Sequence, residues 1–118
     1  MGESKPDILL FISDQHHANY AGFAGHPLVR TPHLDRLAAA GTTFACAYTS
    51  APLCVPSRMS MLSGRLPSHN GVFTNEGALG NDQATFLHSL AAEGYETVLV
   101  GRMHFLGENQ RHGFTKRL

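Results

Sequence analysis

Apolar and polar positions alternate along this chain on two different periods. Residues 7–13 are nearly continuous in apolar character through Ile8-Leu9-Leu10-Phe11-Ile12, as expected for a central parallel strand covered on both faces. The run stops at Asp14. Residues 15–29 are rich in His, Gly and small side chains and hold no sustained period, so they read as a loop with room for a short helix. Thr31-Pro32 then opens a helix carrying Leu34, Leu37 and Ala38 on one face, and Gly41 ends it. Residues 42–48 form a second predicted strand by their β-branched and aromatic content. Residues 50–53 lead to Cys54 and to a helix over residues 56–63, closed by Gly64. Residues 67–82, punctuated by Gly and Asn, form a long loop, a length that often carries function. Phe86, Leu87, Leu90 and Ala91 set an amphipathic helix over residues 85–93, capped by Gly94, and residues 96–100 are a third strand ending at Gly101.

This alternation predicts an α/β fold, a mostly parallel sheet flanked by helices. Ligands of such sheets gather beyond the carboxyl ends of the strands. Asp14 follows the first predicted strand, Cys54 the second, and Arg102 with His104 the third. Three separate candidate groups therefore fall on one edge of the sheet.

Composition narrows the classes of function. A length of 118 residues with 42% hydrophobic content can bury one core, so the chain is one domain or part of one. Nine basic and nine acidic residues balance to zero formal charge, which leaves no electrostatic case for a nucleic-acid partner. No apolar run is long enough to span a bilayer and no signal-peptide cleavage pattern precedes residue 8, so a cytoplasmic location without a membrane partner is expected. Cys46 and Cys54 lack C-x-x-C spacing and further partners, which argues against a disulfide framework or a zinc site. Cys46 reads as a small buried core residue.

The chemistry concentrates at Cys54-Val55-Pro56-Ser57-Arg58. Proline suits a first helical turn, which puts Cys54 at or just before a helix N-terminus, where backbone N–H groups and the helix dipole favour an anion or a thiolate. Arg58 follows one turn later, so its guanidinium can reach back over the same spot. Each residue also has a plainer reading. An aspartate after a strand is more often a cap or turn residue than a metal ligand, and an isolated cysteine is usually an inert buried thiol. Arg65 reads as a structural contact. His33, His88 and His112 read as surface or capping residues, while His16, His17, His26 and His69 lie in loops able to shape a pocket.

Residues 54–65 match C-x-P-S-R-x-x-x-L-x-G-R at every fixed position, and with them the chain resembles the type I sulfatases of the alkaline phosphatase-like superfamily. Residues 5–15 are similar to that family's first strand and metal-binding acid. Thr31-Pro32-His33-Leu34-Asp35-Arg36-Leu37 is similar to its "TPNLDRLA" segment, and Gly101-Arg102-Met103-His104-Phe105-Leu106-Gly107 to its "GKWHLG". The resemblance implies a sulfuric ester hydrolase in which a formylglycine-generating enzyme converts Cys54 to formylglycine. It implies a divalent metal, Ca²⁺ first and Mg²⁺ as the alternative, held by Asp14, Gln15 and the modified Cys54. Arg58 and Arg102 would stabilise charge on a small-molecule sulfate ester, with His104 as base. Arg102 stands where the family more often has lysine, a change that keeps the charge and alters its geometry.

The family also places metal ligands and leaving-group residues on later strands that residues 1–118 do not contain. The expectation is therefore the N-terminal part of a sulfatase catalytic domain, inactive alone and open to oligomerisation. A phosphate or phosphonate ester hydrolase of the same superfamily is the alternative function. If residues 1–118 were a complete protein, an inactive anion-binding module would take precedence.

Overall fold

The computed structural model describes residues 5–118. It divides into two compact units, the first ending at Cys46 and the second spanning Ala47–Leu118. The elements are α1 (Pro32–Ala40), α2 (Cys54–Ser63), α3 (Pro67–Asn70), α4 (Phe86–Ala92), β1 (Val98–Leu99) and β2 (Lys116–Arg117).

In the first unit, α1 begins as its sequence dictates, with Pro32 in its first turn. The Thr31 hydroxyl does not cap the helix backbone. It donates to Asp35 Oδ1 at 2.8 Å and accepts the N–H of Gly22 at 2.8 Å. Asp35 Oδ1 also accepts the N–H of Phe23 at 2.8 Å, so these two side chains tie the 20–26 loop to the first turn of α1. The fit leaves no space at Gly22, because a Cβ there would collide with the Asp35 carboxylate. Gly41 follows the helix at φ −127°, outside the left-handed region.

The second unit holds the core. On α2, Val55, Met59 and Leu62 recur on one face and are sealed from solvent. They pack with Val72, Leu79, Leu87, Leu99, Met103 and Phe105 into one cluster. Gly64 closes α2 at φ 66°, its N–H bonded to Ser60 O at 2.8 Å, the left-handed end that glycine permits without a Cβ clash. The segment expected to be a continuous loop from residue 67 begins with α3, whose buried Asn70 donates to Ser60 Oγ and Arg65 O, both at 3.2 Å, and accepts from Val72 N at 2.9 Å. Helix α4 starts at a capping box in which Thr85 and His88 satisfy each other's backbone donors. Strands β1 and β2 pair in parallel, Val98 with Lys116 and Leu99 with Arg117.

Several sequence expectations are corrected. Residues 7–13 and 42–48 are irregular, not strands, and the third expected strand shortens to β1. A strand exists only through its ladder, and among the described residues the only ladder is that of β1 with β2. Without one, Leu9 and Phe11 stand 77% and 83% exposed. The apolar face of α1 is likewise uncovered, with Leu34 and Leu37 exposed. Cys46 is exposed, because the segment that was to bury it as a strand is open. His112, expected at the surface, is among the most completely buried side chains.

Candidate active site

Cys54 is the first residue of α2 and half-buried. Leu53 occupies the N-cap and offers no side-chain acceptor, so the orphan donors of the first turn need partners from elsewhere. Asn75 supplies one, its Oδ1 accepting the N–H of Val55 at 3.0 Å from 20 residues along the chain. Pro56 has no N–H, and Ser57 N–H already bonds Leu53 O at 3.0 Å. Backbone donors at this helix end are thus largely committed. Favourable charge at Cys54 must come from the dipole and from side chains, which shifts weight away from a backbone anion cradle and onto Arg58.

Arg58 Nη1 donates to the carbonyl of Arg102 at 2.6 Å, joining α2 to a segment 44 residues away. The fold thereby brings together two sequence-predicted residues, with the exposed Arg102 side chain projecting from the tethered backbone. Two residues on, His104 is half-buried and held at φ 60°, between the buried Met103 and Phe105. Left-handed backbone is uncommon outside glycine and persists where surroundings over-determine it. Ser57 Oγ bonds Thr49 Oγ1 at 2.7 Å, fixing the approach to α2. A cavity of about 590 Å³ runs along α2 past Tyr48, Thr49, Ser57, Ser60 and Arg65, and its lining omits Cys54, Arg58, Arg102 and His104.

Asp14 and Gln15 belong to the first unit, where they form an exposed turn with Gln15 at φ 53°. Their carboxylate and amide oxygens are hard donors of the type Ca²⁺ and Mg²⁺ take, yet those ions want six or more oxygens. Among the described residues no group of three or more His, Cys, Asp or Glu side chains is arranged to hold a metal. The donor chemistry fits a divalent cation as one part of a larger ligand set. His16, His17 and His26 serve their own loop. His16 Nε2 lies 2.9 Å from Tyr20 O, His17 meets the Tyr20 ring edge-on, and His26 Nδ1 accepts the N–H of Val29 at 2.9 Å. His69 is exposed, its Nδ1 3.5 Å from Ser68 Oγ.

Sequence reasoning missed Asn75. The signal was present in the accounting of donors, since a helix entered through Leu-Cys-Val-Pro carries no cap of its own and must borrow one. Asn75 stands in the Gly- and Asn-bearing loop that follows.

Comparison with known proteins gives a consistent set. The family model described as Sulfatase matches residues 6–117. Choline-sulfatase of Rhizobium meliloti is 38% identical over 118 residues, 100% of this chain and 23% of that protein. Arylsulfatase A of Bos taurus is 40% identical over 107 residues, 86% of this chain and 21% of that protein. A solved complex of a protein with its substrate D-glucosamine-2-N,6-O-disulfate superimposes with a TM-score of 0.75 at 34% identity, covering 81% of this chain and 19% of that one. The chain thus spans less than a quarter of the length of these relatives.

Proposed function

For a chain that belongs to the sulfatase family, we propose the role of N-terminal part of the catalytic domain of a sulfuric ester hydrolase, with Cys54 as the residue converted to formylglycine. The observation that carries this reading is the position of Cys54 as first residue of α2, with Arg58 one turn on, tied to the backbone that leads to His104. Formylglycine supplies a hydrated aldehyde as nucleophile, a role the unmodified thiol cannot take. Asp14 and Gln15 would contribute oxygen ligands to a divalent cation, which when bound would supply positive charge to a sulfate ester.

The chain's own residues do the rest. The positive end of the α2 dipole and the Arg58 guanidinium favour negative charge beside position 54. Because Arg58 Nη1 donates to Arg102 O, the Arg58 guanidinium is held in place against that backbone, which lowers the reorganisation it needs as charge develops. His104, held by its strained backbone, is the group to take and return a proton at the position 54 hydroxyl. The substrate is a small-molecule sulfate ester, and a formylglycine-generating enzyme is the processing partner.

The test uses the full-length protein co-produced with such an enzyme. Mass spectrometry of the peptide containing residue 54 should show an aldehyde, and aryl sulfate hydrolysis should accompany it and vanish in Cys54→Ala. Activity with only unmodified cysteine present would overturn the nucleophile. Turnover of phosphate or phosphonate esters in preference to sulfate esters would overturn the substrate class.

A further inference from the structure

His112 is only 1% exposed, and its Nε2 has no hydrogen-bond partner among the described residues. A buried polar atom left unpaired costs free energy, so a residue placed there needs an explanation in what its ring contacts. The backbone around it is over-determined. Its N–H donates to Asn109 Oδ1 at 3.0 Å, its carbonyl accepts the Thr85 hydroxyl at 2.7 Å, and its φ is 42°. These bonds fasten the ring between the N-terminus of α4 and the aromatic side chain of Phe105, whose centroid lies 4.9 Å away at a tilt of 51°. Phe105 is itself buried and directly follows His104, the half-buried histidine at φ 60°.

We propose that His112 is a positioning residue for His104, its neutral ring wedged against Phe105 so that His104 keeps its left-handed backbone conformation on the segment that Arg58 tethers to α2 through Arg102 O. The inference rests on the catalytic reading of His104 given above. The titratable group facing the ring is His88 on α4, whose Nδ1 is engaged by the Thr85 hydroxyl and N–H. From the 103–107 segment the ring is faced by Phe105, which carries no charge. Burial, and then His88, lower the pKa of His112 below its ordinary 6.5, while a hydrogen bond to the Asn109 backbone opposes them. A proton added to this ring has an unpaired, desolvated site to occupy. Acid therefore loosens the wedge, and His104 moves with it.

The experiment is a histidine-labelled NMR titration of the full-length protein, following the His104 ring signals in wild type, His112→Phe and His112→Leu. In wild type the His104 signals should report the protonation of His112, at a pH below that residue's ordinary range. His112→Phe retains an aromatic wedge without a titrating group, so it should keep the neutral-pH His104 signals and lose that transition. His112→Leu removes the stacked ring and should displace the His104 signals at every pH, with kcat lowered about tenfold to a hundredfold at little change in KM. His104 signals identical in wild type and His112→Leu across the titration would overturn the proposal. The NMR readout is independent of turnover, so an enzyme without sulfate ester hydrolysis but with these shifts would sink the catalytic reading and leave the mechanical link standing.

Discussion

Single residues carry the sharpest expectations. Asn75→Ala removes the only side-chain acceptor that meets the first turn of α2 among the described residues and should cost about 1 kcal/mol of stability, the usual size of a lost cap, readable in urea denaturation. Burial lowers the pKa of His112 in the folded state relative to 6.5, so the unfolded chain binds the proton more readily. Its contribution is therefore intact above about pH 6.5 and is lost as the pH falls through that value toward the lowered one. Melting temperatures measured between pH 8 and pH 5 should fall more for wild type than for His112→Phe. Asp14→Ala in the full-length protein should abolish Ca²⁺ or Mg²⁺ affinity in calorimetry; unchanged affinity would make Asp14 a turn residue alone.

Elements were legible from sequence wherever local chemistry decides them. Helix α1 follows from Thr31-Pro32, the end of α2 from Gly64, and the start of α4 from Thr85, each a matter of a few adjacent residues. Strands need a distant partner, and so the apolar run at residues 8–12, which reads as a buried strand, has no ladder among the described residues. For the same reason the candidate site was only half visible. Cys54, Arg58, Arg102 and His104 stand in recognisable strings, whereas Asn75 and His112 act through contacts 20 and 27 residues apart in the chain. The buried face of α2 makes its own prediction. Met59 is 1% exposed at the centre of the core, so Met59→Ala should cost about 2–5 kcal/mol, a truncation the packed neighbours can only partly fill.

At the scale of the whole molecule, what stands out is apolar surface without cover. Ile8, Leu9, Leu10 and Phe11 are all more than half exposed, and contiguous surface of that kind invites pairing. Residues 1–118 expressed alone should therefore self-associate in light scattering and show no sulfate ester hydrolysis even with Cys54 converted. A monodisperse protein with a cooperative melt and aryl sulfate turnover would refute the view that the catalytic domain extends further.

The bond between Asn75 and Val55 also sets a clock. On the ribosome Val55 emerges 20 residues ahead of Asn75, whose amide caps it, and at 5–20 residues per second that interval lasts about 1–4 s. During it α2 lacks the Asn75 acceptor for its first turn, and a short helix is then too weak to hold itself together. The processing enzyme proposed above would have those seconds in which the helix does not compete with it for Cys54.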